Sequence, residues 1–542
     1  MAAQDLKAVD RLVGGAGRGT YSRREAVKRA AAIGLSVPAV GFGVGAASGR
    51  AAAQTTEPEG NIVIVLAAEP STLENWNAYS VDGHPVLRNI FEALINRNPE
   101  TNELVGELAT SWERVDDRTL RFTLREGVVF HNGDPFDAEV AAFGLNYTWS
   151  PENAFDIVQF MGPQITATAV DEYTLDVATA EPDPILAERL YFSPIPNMIQ
   201  IQQRPESLPA EPIGTAPYGF VAWNRGENIL LTAFADWWGN AAGDAYGEVT
   251  IRDAEFVARG ESAVRAAMVS AGEAQIARFL APEDCASTPV CEKSSSVETV
   301  FLRLDTMHTV MGDPRVREAI ALAVDKQALA EQLFGATDVA SQLVGPSAAG
   351  YDPAVQPAPY DPERARQLVA EAQADGVPVA EAVITVAVRA GAYPRNEELG
   401  EYVANQLNEI GLNAQSQVIE HAAYQEQYVT PYDEIPADRG WIGTLTHGNE
   451  MMDVGQTAAS YYVCGGGATT WCDPAFDQQV QAASVLLGEE RAQAFQEITR
   501  EFMANYPLVP IVHLPLFYGV AENLSWAPRL DGFMLIKEMH YA

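Results

Sequence analysis

The chain has 542 residues, and its 73 acidic and 35 basic residues give a net charge of −38. This length exceeds one ordinary hydrophobic core, so we expect two or three lobes. The negative charge makes nucleic acid and anionic membranes poor partners. Since none of the few lysines follows a glycine, a Walker A phosphate loop is also excluded.

The first 53 residues differ in composition from the rest, because eight of them are basic and only three are acidic. Residues 22–28, SRREAVK, resemble a twin-arginine export signal, and a weakly apolar segment rich in glycine and alanine follows at 30–47. Glycines and Pro38 interrupt that segment, which makes it a poor membrane span. We therefore expect a removed signal peptide and an exported, periplasmic protein. A basic disordered tail is the alternative.

A buried strand is the first element predicted after this leader. Residues 61–66, NIVIVL, form a nearly continuous apolar run with several β-branched side chains. Such a run is typical of a strand that is covered on both faces. The segment EPSTL at 69–73 ends it.

Residues 112–137 contain the most specific pattern in the chain. Apolar and polar residues alternate from Leu120 to Leu124, which predicts a half-buried strand. A turn leads into a second short strand at 128–130, and another turn follows it. Asp137 then stands where it can cap a helix.

The motifs SWE, LREGV and FHNGDPF of this stretch resemble the extracytoplasmic solute-binding proteins of family 5, which are peptide and nickel receptors of bacterial ABC importers. The same resemblance extends to EPSTL, to PIGTAPY at 212–218, to DWWG at 236–239 and to the helix DPRVREAIALAVDKQALA at 313–330. It covers nearly all of the chain after residue 60.

The resemblance implies an α/β, bilobal periplasmic-binding-protein fold that is class II-like, with the extra domain of large peptide receptors. Two strands shared between the lobes would form the hinge. The expected organisation is a signal peptide at 1–53, lobe I at 54–303 with the extra subdomain at roughly 95–215, lobe II at 304–511, and a return to lobe I at 512–542.

Lobe II contains the clearest helix signals. Asp313 and Asp361 are each followed by proline, a favoured N-cap and first helical residue. Residues 382–419 indicate a strand, a helix that Gly411 stops, and a second strand, which together form a βαβ unit. An apolar stripe near the end predicts one more helix, and its residues are Phe495, Ile498, Phe502 and Tyr506.

The four cysteines form two close pairs, Cys285 with Cys291 and Cys464 with Cys472. In an oxidising compartment we expect two local disulfides. A structural zinc site built from all four is the alternative, although the spacings differ from those of the usual C-x-x-C clusters.

Candidate ligand-binding residues come from two segments. The resemblance implies that the loop after the first strand faces the ligand cleft. The segment GWIGTLTH at 440–447 resembles the G-W-x-x-D of di- and oligopeptide receptors, in which the tryptophan walls the cleft and the aspartate pairs with the peptide's amino terminus. Here the tryptophan is kept, and a threonine stands in place of the aspartate. The predicted ligand-binding residues are Trp441, Thr444, His447, Tyr79, Asn77 and Trp76.

The threonine affects the expected solute. A buried ammonium needs a compensating charge, whereas a hydroxyl contributes only about 1 kcal/mol net. Either another carboxylate, such as Glu450 or Asp453, takes the role, or the solute is not an α-amino peptide, and we favour the second interpretation. The resemblance also admits opines, oligosaccharides, glutathione and, with His447 as a ligand, nickel complexes.

We therefore predict the substrate-binding component of an ABC importer, which closes on a small solute or peptide and delivers it to a permease in the inner membrane. We expect a monomer with no cofactor, no metal and no nucleic-acid partner. The sequence lacks a nucleophile elbow, HExxH, EF-hand loop or dinucleotide fingerprint, so no enzyme is predicted. A secreted hydrolase and an extracytoplasmic sensor are the competing classes.

Overall fold

The structure is a computed structural model, and it describes residues 58–77, 83–153, 155, 162–242, 248–336 and 338–542. The predicted signal peptide at 1–53 lies outside these residues. Within the described ranges, no helix is long and apolar enough to cross a bilayer.

Lobe I is the part of the chain built around a seven-stranded mixed sheet. Its central strand Glu59–Leu66 pairs in parallel with Ile251–Ala258 on one side and with Ile276–Ala277 on the other. Because neighbours cover this strand, the apolar run at 61–66 is mostly buried, which confirms the prediction. The spatial order of the strands is Val290–Ser294, Leu516–Val520, Ile276–Ala277, Glu59–Leu66, Ile251–Ala258, Asn228–Ala233 and Tyr218–Asn224.

A four-stranded antiparallel sheet contains the stretch with the clearest sequence pattern. The alternation from Leu120 to Leu124 is confirmed as a strand with three buried apolar residues. Asp137 caps the next helix by accepting a hydrogen bond of 2.9 Å from the Val140 amide. The strand predicted at 128–130 is wrong, because a tight turn leaves only an isolated bridge at Val129. The strands are Ala109–Arg114, Thr119–Leu124, Thr174–Thr179 and Ile165–Asp171, in spatial order.

Short elements complete this half of the molecule. The two-stranded sheets are Ile95–Arg97 with Leu104–Gly106, and Leu524–Ser525 with His540–Tyr541. The helices are His84–Leu87, Ala138–Thr148, Leu186–Leu190, Met198–Gln203, Gly239–Ala242, Ser262–Ser270 and Pro282–Cys285, with 3₁₀ turns at Pro205–Ser207 and Ile536–Glu538.

Lobe II is built around a five-stranded sheet with helices on both faces. Val383–Arg389 and Asn413–Ile419 pair in parallel and are joined by the helix Asn396–Glu409, which confirms the βαβ unit. The spatial order of the strands is Asn413–Ile419, Val383–Arg389, Trp441–Gly448, Glu298–Leu304 and Leu508–His513.

The helices of lobe II begin where the sequence predicts. Asp313 and Asp361 both cap their helices through the side chain, accepting from the amides of Arg315 and Arg364. The apolar stripe near the end is helical only in part, because the helix ends at Met503. The helices are Pro314–Ala323, Lys326–Phe334, Pro362–Ala374, Asn396–Glu409, His421–Tyr428, Val454–Tyr461, Pro474–Ser484 and Gly488–Met503, with a 3₁₀ turn at Tyr432–Glu434.

The chain passes between the two large sheets at two described places. Val290–Ser294 lies in the seven-stranded sheet, and Glu298–Leu304 in the five-stranded one. Leu508–His513 lies in the five-stranded sheet, and Leu516–Val520 in the seven-stranded one. Two short adjacent segments therefore connect the lobes, a few residues from the predicted boundaries, and the exact domain limits stay a prediction.

Both cysteine pairs are bonded as expected. Cys285 joins Cys291 and Cys464 joins Cys472, with Cα atoms 5.2 and 4.4 Å apart. The cysteines are therefore not available for a shared zinc site.

Candidate functional site

A cavity of about 160 Å³ lies between the two lobes. His84, Arg278 and Phe533 line it from lobe I, and Glu298 and Glu450 line it from lobe II. Because both lobes supply its walls, this cavity changes whenever the lobes move relative to each other.

Two glutamates of lobe II converge in the cavity. Glu298 begins the strand Glu298–Leu304 and pairs in register with Gly448, while Glu450 follows two residues after the strand Trp441–Gly448 ends. A Cβ placed on Gly448 would lie less than 3.0 Å from Oε1 of both glutamates. The two carboxylates therefore share the space over this glycine.

This convergence changes the protonation of the pair. The pKa of Glu298 is raised to about 7, first by burial and then by the negative charge of Glu450. A hydrogen bond from the Thr446 side chain and the charge of Arg389 act in the opposite direction. Two carboxylates held so close favour either a retained proton or a bound cation.

The wall from lobe I carries positive charge. Arg278 follows the short strand Ile276–Ala277 and is 2% exposed. It stands at the carboxyl end of this strand, where open α/β sheets bind their ligands. His84 begins the helix His84–Leu87, and its pKa is lowered to about 3 by burial and by the charges of Arg88 and Arg278. The imidazole is therefore neutral at ordinary pH.

Asp531 also lines the cavity, but its charge is balanced within lobe I. It forms an ion pair of 2.9 Å with Arg529 and accepts a hydrogen bond of 2.5 Å from the Tyr191 hydroxyl. Burial raises the pKa of Asp531, yet the Arg529 guanidinium holds it below the ordinary value. The cavity thus presents two carboxylates of lobe II across from Arg278, an arrangement that suits a small zwitterion.

The predicted residues of strand Trp441–Gly448 point to opposite faces of the sheet. Trp441 is 7% exposed and packs against Tyr424, with 5.5 Å between ring centroids. His447 is on the same face, where its Nε2 lies 2.7 Å from the Thr457 hydroxyl. Burial lowers the pKa of His447 to about 4, so it is a neutral, hydrogen-bonded core residue.

Thr444 lies on the other face and is completely buried. Its hydroxyl donates a hydrogen bond of 2.8 Å to Oδ1 of Asn396. Asp453, one of the two carboxylates considered as substitutes, is bound by Arg491 at 2.7 Å and caps a helix. Of the predicted alternatives, only Glu450 lines the cavity between the lobes.

The residues predicted in the first loop are also dispersed. Trp76 is 1% exposed and packs against Phe91, with 6.0 Å between ring centroids. Asn77 is half-buried and donates a hydrogen bond of 2.9 Å to Glu74. Tyr79 lies outside the described residues. The ligand contacts predicted for Trp441, Thr444, His447, Tyr79, Asn77 and Trp76 all stay predictions.

Arg278 and Glu298 belong to no motif that the sequence displays. Arg278 directly follows an apolar strand, and Glu298 is the first residue of another. A charged side chain next to an apolar strand is the signal that could identify them. Within the part of the chain that the structure describes, no group of three or more His, Cys, Asp or Glu side chains is arranged to hold a metal ion.

Comparison with solved structures supports the architecture. A periplasmic binding protein DppA from Helicobacter pylori, in complex with the peptide STSA, superposes with a TM-score of 0.74 at 19% identity, covering 89% of this chain and 98% of that one. A dipeptide-binding protein from Pseudoalteromonas sp. SM9913 with Met-Leu gives 0.75 at 18% identity, covering 89% and 100%. The protein AgaA from A. tumefacien R10, in complex with agropinic acid, gives 0.72 at 19% identity, covering 89% and 99%.

Sequence relatives agree with this result. The chain is 24% identical over 494 residues to di/tripeptide-binding protein 2 of Pseudomonas aeruginosa strain UCBPP-PA14, covering 84% of this chain and 89% of the relative. It is 25% identical over 364 residues to the glutathione-binding protein GsiB of Salmonella paratyphi A, covering 65% and 68%.

The likeness to these structures defines the fold, which is bilobal and of the periplasmic-binding-protein type. The family model of the bacterial extracellular solute-binding proteins, family 5, matches residues 103–459. The chain belongs to this family, whose members bind solutes.

Proposed function

We propose that this protein is the receptor of an ABC importer, which closes its two lobes on a small solute in the periplasm and delivers it to a permease in the inner membrane. It acts as a monomer and releases the solute chemically unchanged. Residues 1–53 direct its export by the twin-arginine route.

The single observation that carries the proposal is the cavity between the lobes. Both lobes line it, and only two short segments connect their sheets. A solute that contacts both walls stabilises the closed arrangement over the open one.

The solute class follows from the convergence of Glu298 and Glu450. A cationic group placed between two carboxylates removes their repulsion and gains charge-assisted hydrogen bonds. Arg278 on the opposite wall suits an anionic group. We therefore assign an ammonium-bearing zwitterion, such as a short peptide or amino-acid derivative, with Glu450 in the role that the relatives' aspartate has in G-W-x-x-D. This reverses the preference for a solute without an α-amino group.

The relatives support this assignment. Two of them are named for di- and tripeptides and for glutathione, and such molecules carry both an ammonium and a carboxylate. The cavity of about 160 Å³ is smaller than typical ligand pockets, which favours a small solute.

Calorimetry with matched peptides tests the assignment. Dipeptides and their N-acetylated forms have the same side chains, but only the first carry an ammonium. We expect binding of free dipeptides, a smaller radius of gyration on binding, and loss of binding on N-acetylation. Equal affinity for both forms would exclude an ammonium site at Glu298 and Glu450.

Two further measurements address export and catalysis. N-terminal sequencing of the protein secreted by its own host is expected to begin near Gln54, and replacing Arg23 and Arg24 with lysine is expected to block export. Mass spectrometry of the released solute is expected to show the mass that was added. An altered mass would favour the secreted hydrolase.

A further inference from the structure

A second and larger cavity, of about 360 Å³, lies within lobe II. The segment 354–359, the helix Gly488–Met503 and the strand Leu508–His513 supply most of its walls. Lys326, the first residue of the helix Lys326–Phe334, also lines it. It shares no lining residue with the cavity between the lobes. Its volume is within the range of small-molecule sites.

The cavity contains a buried amine. Lys326 is 4% exposed, and its Nζ donates hydrogen bonds of 2.6 Å to the Ala321 carbonyl and 3.1 Å to the Val324 carbonyl. These carbonyls end the preceding helix and supply only partial negative charge. The third N–H of the ammonium remains for another acceptor.

No carboxylate of the described residues forms an ion pair with Lys326. Arg500, the other cation at this cavity, is already bound to Asp352 at 2.7 Å. Burial lowers the pKa of Lys326 to about 8, against a smaller opposing effect of Asp325. A buried ammonium without a full counter-charge, beside an open space, is stabilised by an anion in that space.

The rest of the wall is mainly apolar. Met503, Leu508 and Val509 are among its lining residues, and Ala354 and Pro359 are exposed at the rim, where a ligand can enter. We propose that this cavity is a second binding site, for a small organic carboxylate with an apolar body, whose carboxylate pairs with Lys326.

The position of the site ties it to the hinge. The strand Leu508–His513 forms one wall and leads into lobe I three residues later. The Ala340 amide, on the same wall, donates a hydrogen bond of 3.1 Å to the Ile511 carbonyl. A carboxylate bound to Lys326 therefore connects the helix Lys326–Phe334 to the strand Leu508–His513, which leads into the segment between the lobes.

Phenylacetate and phenylacetamide form a matched pair of probes, because they differ in charge and share one apolar body. The mature wild-type chain, Lys326→Met, Ala354→Trp and the control Arg278→Gln are compared by thermal shift and calorimetry. We expect phenylacetate to stabilise the wild type and Arg278→Gln, and phenylacetamide to have no effect. Lys326→Met is expected to weaken phenylacetate binding about tenfold or more.

Ala354→Trp fills the rim and leaves Lys326 in place, so it tests the site even if Lys326→Met does not fold. Loss of phenylacetate binding in Ala354→Trp supports the proposal. Any of three results would overturn the proposal. Phenylacetate could fail to stabilise the wild type, it could have the same effect as phenylacetamide, or its binding could depend on Arg278 instead of Lys326. Peptide binding between the lobes is measured on the same samples, so the two sites are judged separately.

Discussion

Two pairs of glutamates share one electrostatic property and differ in their surroundings. Glu92 and Glu298 both have a pKa raised to about 7, first by burial and then by a second glutamate, which is Glu107 for the first and Glu450 for the second. Glu92 lies in the interior of lobe I, whereas Glu298 lines the cavity between the lobes.

The interior pair is satisfied by the protein itself. The indole N–H groups of Trp237 and Trp238 each donate a hydrogen bond of 2.9 Å to Glu92. Glu107 accepts from the Ala93 amide at 2.8 Å and from Asn96 at 2.6 Å. A raised pKa therefore shows only that a carboxylate is buried beside another negative charge. A structural carboxylate differs from a ligand-binding one because the protein itself supplies its hydrogen-bond donors.

The largest effect is expected from Glu92→Ala. The substitution removes the carboxylate that accepts from the indole N–H groups of buried Trp237 and half-buried Trp238, and we expect the free energy of unfolding to fall by about 3 kcal/mol. Denaturant titration measures this loss, with the exposed Glu401→Gln as a control that changes little. Peptide affinity is expected to remain at the wild-type level. A loss of affinity without a loss of stability would remove the distinction between the two pairs.

Glu450→Gln is expected to have the opposite profile. It removes one charge that faces the solute's ammonium, so dipeptide affinity measured by calorimetry is expected to weaken by about 2 kcal/mol. The unliganded protein is expected to keep its stability, because repulsion with Glu298 disappears. Unchanged affinity would show that the ammonium binds elsewhere.

A smaller effect is expected from Thr444→Val. The hydroxyl bonds to Asn396 inside lobe II, so its loss is expected to cost about 1 kcal/mol of stability and to leave peptide affinity unchanged. The comparison is made by denaturation and calorimetry on one preparation. A selective loss of affinity would restore Thr444 to the site.

The last prediction concerns pH. The pKa of Glu298 and of Glu92 lies above the ordinary value of 4.5, so each stabilises the fold fully below pH 4.5 and loses that contribution as pH rises through about 7. Buried histidines whose pKa is lowered to about 3 or 4 change the stability in the opposite direction over this range, so the contribution of Glu298 is measured by comparing the melting temperature of a variant with that of the wild type. Relative to the wild type, Glu298→Gln is expected to gain stability as pH rises from about 4.5 to about 7, because the loss that Glu298 causes is absent. An unchanged slope in this variant would contradict the raised pKa.

Local patterns predicted the fold well, because each depends on neighbours in sequence. The alternation at Leu120–Leu124, the cap at Asp313 and the βαβ unit at 382–419 all appear as expected. The strand predicted at 128–130 was wrong because turn geometry around Gly133, with φ of 88°, decided the pairing there.

Local sequence patterns did not predict which residues meet at the candidate site. Glu298 and Glu450 meet only because two antiparallel strands place Glu298 beside Gly448, and no local pattern records that register. Thr444 and Trp441 are three residues apart on one strand, which puts them on opposite faces. The resemblance to G-W-x-x-D suggested that both residues contact the solute, whereas the two-residue period of a strand points their side chains to different faces.

The order of strands in lobe I has a consequence for biogenesis. Leu516–Val520 is hydrogen-bonded between Val290–Ser294 and Ile276–Ala277, more than two hundred residues earlier in the chain. A ribosome must therefore have made the chain as far as Val520 before this sheet can be completed. Pairing over such separations is slow, so the nascent chain exposes unpaired strand edges for longer than a protein of local topology does.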